Sequence, residues 1–182
     1  MVRRRVSLWL AVTVLAAGCA ASASKGPAAS DDTDVWFMQR LAGHLLQTSA
    51  VLDLSHDRIT RPKLARLVRV MQQQQEASLQ QVQEWLTTRG LAGYDPQQQS
   101  SRRKESDLVR LSRVRGAKFD LALLKVLTAR YRAGSRLAAT EINKGTVPEV
   151  RQLAKQMLDQ QRGQITTMTA WVHTWSKAEA NS

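Results

Sequence analysis

Thr60-Arg61-Pro62-Lys63-Leu64 and Thr146-Val147-Pro148-Glu149-Val150 stand 86 residues apart and read as two versions of one phrase. The same shift lays Leu67 over Leu153, Met71 over Met157, Gln74-Gln75 over Gln160-Gln161 and Trp85 over Trp171. It also lays Phe37-Met38 over Leu123-Leu124 and His44 over Arg130. One ungapped register from residue 37 to residue 86 makes the chain two copies of one unit. A proline just after a turn suits the first turn of a helix, where its missing N–H costs nothing. Each copy is therefore a helical hairpin, with the quoted phrase at its turn.

Val35, Met38, Leu41, Leu45, Leu46, Val51 and Leu52 recur at three- and four-residue steps and predict a first helix over 34–54. A loop from His56 to Arg61 leads into a second helix that opens at Pro62 and stops at Arg89-Gly90, with Gly90 as C-cap. Gly93-Tyr94-Asp95-Pro96 is turn chemistry and residues 97–101 are polar, so 91–106 links the copies. The third helix begins between Asp107 and Phe119, with Gly116 as its kink or its start, and runs to Asn143. Gly145 takes the next C-cap, Thr146 the next N-cap, and Pro148 opens the fourth helix. Residues 178–182 form a fraying tail. No strand pattern occurs. Neither hairpin can bury its apolar stripe alone, so the prediction is an all-α, up-down-up-down four-helix bundle of two tandem hairpins. Repeat one is 34–90, and repeat two is 107–177. In that arrangement Trp85 and Trp171 close the same end, and the end of the fourth helix lies by the start of the first.

The N-terminus carries an address. Arg3-Arg4-Arg5 precedes an apolar stretch, and Leu15-Ala16-Ala17-Gly18 ends it with small residues before Cys19, the only cysteine. Residues 1–18 read as a lipoprotein signal peptide, with Cys19 as the lipidation site and 19–33 as a flexible tether. A lone thiol in an exported chain has no disulfide partner in that chain. The expected location is outside the cytoplasm, lipid-anchored to the cell membrane. Loss of 1–18 removes three arginines and lowers the formal charge from +12 to +9. Basic residues concentrate in Arg102-Arg103-Lys104, Arg110, Arg113, Arg115 and Lys118, and in Arg58, Arg61, Lys63, Arg66 and Arg69. Expected partners are the membrane through the anchor and an anionic envelope surface or protein. Nucleic acid is not expected, since no stacking aromatics interleave with the basic runs.

Gly145-Thr146-Val147-Pro148-Glu149-Val150-Arg151-Gln152-Leu153-Ala154, followed by Gln160-Gln161, Gln164-Ile165, Met168 and Trp171, resembles the second half of a DUF305 domain. Phe119-Asp120 matches the start of that family's preceding helix. The resemblance covers nearly all of the mature chain. It implies a ferritin-like four-helix bundle made from a duplicated hairpin, in exported or anchored proteins several of which handle copper or other metals. Paired histidines and a downstream methionine are the ligands it implies. Here the paired-histidine position reads His44-Leu45 in one copy and Arg130-Tyr131 in the other. The Glu-Ile–x–x–Met element reads Ser78-Leu79–x–x–Val82 and Gln164-Ile165–x–x–Met168. Only His44 and Met168 stand in place.

A soft-metal site would then use His44, Met38 and Met168, with the two methionines at similar heights; the plainer alternative is methionine as core filler. A di-iron site is excluded, because no Glu–x–x–His occurs. Neither a nucleophile elbow nor a phosphate-cradling loop is present, so no enzyme is expected. Gln75 and Gln161 are placed to reach across the bundle and form a polar core layer, His44 with Gln75 and Arg130 with Gln161. Arg130 would then need Asp120, Asp159, Glu141 or solvent. The reading is a non-enzymatic binding or structural module of the envelope without a cofactor; its alternative is an envelope copper-binding protein.

Overall fold

The structure is a computed structural model that describes residues 32–91 and 102–181, with only the backbone of 102–106. The expected signal peptide, Cys19, most of the tether, the 93–96 turn and the 97–101 run lie outside the described residues. The helices are α1 (Asp32–Ser55), α2 (Pro62–Thr88), α3 (Arg102–Ser112), α4 (Gly116–Lys144) and α5 (Pro148–Ala180). No strand occurs among the described residues. The all-α bundle of two hairpins, α1–α2 and α4–α5, follows the sequence pattern.

Two aspartates fix how the hairpins meet. Asp34, in the first turn of α1, accepts the Thr146 hydroxyl at 2.8 Å, the Val147 amide at 3.0 Å and the Thr146 amide at 3.2 Å. Asp120, in the first turns of α4, accepts the Thr60 hydroxyl at 2.7 Å, the Arg61 amide at 3.0 Å and the Thr60 amide at 3.1 Å. These aspartates are themselves 86 residues apart. Each hairpin thus clasps the turn of the other. The amides that lead into a helix have no partner within it, and the helix dipole favours an anion there. The carboxylate comes from the opposite hairpin, and neither α2 nor α5 has a side-chain cap of its own. Val147, not Thr146, is the N-cap residue of α5, because the Thr146 hydroxyl is spent on Asp34.

The clasps correct the predicted helix order. The start of α1 lies at the end of α4, and the start of α4 lies at the end of α1. The helices therefore run up-down-down-up, not up-down-up-down. The end of α2 and the start of α4 therefore lie at opposite poles, about 40 Å apart for a 27-residue helix such as α2. Repeat-equivalent residues consequently face opposite poles. Trp85 packs with Phe37, Met38 and Val147, whereas Trp171 packs with Val51, Phe119 and Leu123 at the far end. The end of α5 also lies at the first hairpin turn, where Arg61 sits 4.3 Å over the Trp175 ring and 3.5 Å from Glu179. These contacts keep the expected tail helical as far as Ala180.

Helix α3 is an addition within the predicted linker and third helix. Gly116, at φ +59°, bends the chain between α3 and α4 and marks the true start of α4. Leu111 of α3 is fully buried, and the Arg58 guanidinium donates to the Leu111 and Val114 carbonyls at 2.9 and 2.7 Å. That places a cation on the negative end of α3. Gly90 (φ +65°) follows α2 with Leu91 N–H bonded to the Leu86 carbonyl, the expected glycine cap. Gly145 is needed for room instead, because a Cβ there would overlap the Glu141 carboxyl.

Burial pushes the Asp34 carboxyl up, but the Val147 amide, the Thr146 hydroxyl, Glu141 and the Thr146 amide outweigh it and hold it below the ordinary value of 3.8. Its stabilisation is complete above that value and is lost as pH falls through the lower folded one. Asp34→Ala and Asp120→Ala each leave two amides and a hydroxyl without their acceptor and are expected to cost about 2–5 kcal/mol. Urea unfolding of each variant at pH 7 measures this; a cost below about 1 kcal/mol would show that the clasps do not hold the hairpins together.

Candidate functional site at the centre of the bundle

Two apolar clusters fill the bundle, one at each pole. Between them lie the polar residues singled out from the sequence. Gln75 and Gln161 are 5 % and 4 % exposed and Arg130 is 8 % exposed, so the layer crosses the interior rather than a wet face. Its partners differ from those expected. The Gln75 amide donates to the Tyr131 hydroxyl at 3.2 Å, not to His44. Ser135 donates to the Gln161 carbonyl oxygen at 2.9 Å, and Gln164 donates to Gln74 at 2.6 Å across α2 and α5. Arg130 pairs with Asp107 of α3 at 3.0 Å. None of the three acids proposed from the sequence serves it: Asp120 is taken by the first hairpin turn, and Glu141 stands against Asp34 at one pole.

Gly134 leaves a small open point in this layer. A Cβ there would lie 2.8 Å from His44 Nε2, 2.9 Å from the Gln161 amide nitrogen and 2.9 Å from Met157 Cε. Gly134 stands at the repeat position of Thr48, whose hydroxyl donates to the His44 carbonyl at 2.8 Å. His44 Nε2, Gln75 Oε1 and Arg130 Nε are buried without a protein hydrogen-bond partner. Burial, with the Arg130 charge beside it, pushes the His44 imidazole down to about 4. Burial pushes Arg130 below its ordinary value against the pull of Asp107, and raises Tyr131 to about 12 despite the Gln75 hydrogen bond. At neutral pH the layer holds a neutral imidazole, a neutral phenol and one guanidinium paired with an aspartate.

The three proposed metal ligands do not meet. Met38 is buried in the cluster at the α1-start pole, Met168 is buried in the cluster at the other, and His44 lies between them. The methionine brought to His44 is Met157, which the repeat pattern offered only as core. A copper site wants three soft or imidazole donors around a cation. Here one imidazole and one thioether share the space with the Arg130 charge, so the residues do not fit such a site. Among the described residues no group of three or more His, Cys, Asp or Glu side chains converges. The sequence missed Asp107, Tyr131, Ser135 and Gly134. Of these Gly134 carried a signal, a glycine inside an otherwise helical stretch, and Tyr131 carried another, its place in the paired-histidine position.

The chain belongs to the family described as domain of unknown function DUF305, whose sequence profile matches residues 34–172. Its fold is similar to three solved structures. The DUF305 fragment from Deinococcus radiodurans is 20% identical, with a TM-score of 0.72 over 80% of this chain and 98% of that one. The DUF305 protein from Streptomyces coelicolor is 18% identical, with a TM-score of 0.71 over 79% and 94%. CopM in its Cu(I)-bound form is 16% identical, with a TM-score of 0.66 over 78% and 96%. No curated protein matches the sequence.

His44 unfolds to an ordinary imidazole near 6.5 and is depressed in the fold, so protonation favours the unfolded chain. Its contribution is full above pH 6.5 and is lost between pH 6.5 and about 4. That loss is on the order of 3 kcal/mol. Unfolding free energies measured across this range should lose that slope in His44→Leu; an unchanged slope would remove His44 from the cause. Gly134→Ala should destabilise by about 1–3 kcal/mol through the three contacts named above, as read by thermal melting.

Proposed function

We propose that this chain is an exported, lipid-anchored, non-enzymatic binding module of the cell envelope, with its central polar layer serving helix register rather than metal. The observation that carries this reading is Arg130. Its guanidinium occupies the repeat position of His44 and is committed to Asp107 at 3.0 Å. A buried charge pair of this kind fixes which residues face one another and repels a cation from the neighbouring imidazole. The anchor rests on Leu15-Ala16-Ala17-Gly18-Cys19. No described helix is long and apolar enough to cross a membrane, so an anchor of this kind would not duplicate a span. Family membership and the likeness to CopM are compatible with an envelope protein.

The competing reading is an envelope copper-binding protein. Two observations favour it: His44 Nε2 is buried without a protein partner on the same open point as Met157, and the fold is similar to that of CopM in its Cu(I)- and Cu(II)-bound forms. Cu(I) titration of the full chain against a competing chelator separates the two. The binding-module reading expects no uptake beyond the competitor, and no change in His44→Ala or Met157→Ala. Stoichiometric uptake lost in either variant would replace it with metal handling. Labelling with radioactive palmitate tests the anchor; incorporation that survives Cys19→Ala would sink it.

A further inference from the structure

The up-down-down-up order brings the end of α3 and the first turns of α4, with Arg110, Arg113, Arg115 and Lys118, to the same pole as Arg58, Arg61 and Lys63 of the first hairpin turn. That pole lies opposite the one where the chain enters α1. Between α3, α4 and the end of α5 runs a groove of about 390 Å³, lined by Arg110, Lys118, Lys125, Leu121, Ala122 and Glu179. Lys118 and Lys125 stand two helical turns apart on α4, about 10 Å along one face. Both are exposed, and neither has an ion-pair partner among the described residues. Arg110 faces them from α3 and is held by Asp107 at 3.1 Å.

We propose that this groove docks a phosphate-bearing polymer on the side of the bundle away from the anchor. Three cations along one groove cannot all be met by one small anion. A chain with closely spaced phosphates meets them together and gains the release of its counterions. Arginine's planar fork and two mobile ammonium groups suit phosphate oxygens. The apolar floor of Leu121 and Ala122 seats the polymer's backbone, and Glu179, which also lines the groove, has its charge offset by Arg61 at 3.5 Å. At the other pole Arg89 is tied to Glu149 at 3.0 Å, and Glu84 lies exposed beside them.

The proposal rests on the binding-module reading, and its test is separate from the copper titration. Fluorescence anisotropy with labelled inorganic polyphosphate is measured on the full chain carrying Cys19→Ser. Binding is expected that weakens as salt is raised. The triple variant R110Q/K118Q/K125Q should weaken it roughly tenfold or more. The opposite-pole variant R136Q/K155Q should leave it unchanged, and K118Q alone gives an intermediate loss if the triple variant melts early. Three results overturn the proposal: no polyphosphate binding, equal losses in both multiple variants, or equal or tighter binding to polyglutamate or to phosphatidylglycerol vesicles. A copper site at His44 would overturn the binding-module reading and leave the groove result standing. Failure at the groove with no copper uptake overturns the groove alone.

Discussion

The bundle depends on two buried carboxylates that each solve a problem for the opposite hairpin. Asp34 and Asp120 are both fully buried, and each accepts two backbone amides and a threonine hydroxyl. Burying a carboxylate is costly unless its acceptor capacity is filled. The helix starts at Pro62 and Pro148 fill it, and in return their orphan amides are satisfied. The arrangement ties packing to polarity. If the hairpins separate, two ions lose their donors at once, and two helix starts lose their caps. The clasps are not identical, however. Glu141 stands beside Asp34, whereas Ser55, at its repeat position, donates to the Leu52 carbonyl at 2.6 Å, and Arg61 adds its guanidinium, at 3.4 Å, only to Asp120. The Glu141 hydrogen bond joins the three donors from residues 146 and 147 in holding the Asp34 carboxyl below its ordinary value.

The central layer shows the same economy of partners. It interrupts the core between two apolar clusters, and every buried polar side chain in it carries a constraint on register. Arg130 is the costliest member, and its counter-charge comes from α3. That short helix anchors itself by Leu111, is held to the first hairpin turn by Arg58, and delivers Asp107 to the layer. An extra helix between the hairpins is thus what makes an arginine tolerable at the repeat position of a histidine. The electrostatic result is a layer that keeps His44 neutral. Neutrality alone would suit a metal ligand, but a guanidinium next to it does not.

Much of this was legible from the sequence, for identifiable reasons. Helix existence, the two prolines at helix starts and the glycine after α2 follow from local chemistry that acts within a few residues. The buried layer of Gln75, Arg130 and Gln161 was legible because a repeat marks equivalent positions. Helix direction was not legible. Sixteen linking residues permit either a return along the same side or a full crossing, and the choice was made by Asp34 and Asp120. Their equivalence was present in the register but silent, because an aspartate near a helix start reads first as a cap for its own helix. The same limit hid the Arg130 partner. Periodicity identifies which residues face inward but not which distant ones they meet, so Asp107, read only as a possible start of the third helix, gave no sign of Arg130.

The reciprocal clasps carry an implication for where the fold came from. Each is made between hairpins and none within one. Two copies of a single hairpin, brought together about a true twofold axis, would make both clasps with no linker at all. In that ancestral homodimer an aspartate and a Thr–x–Pro turn on one surface would be self-complementary, and stability would depend on protein concentration. Joining the copies in one chain turns that encounter into an intramolecular one. Once the copies were fused, they could diverge, and positions once bound to be identical were freed to become His44 and Arg130, or Ser55 and Glu141. The asymmetry of the present molecule reflects that freedom, exercised at His44 and Arg130 and at Ser55 and Glu141 but not at the two aspartates or the Thr–x–Pro turns that hold it together.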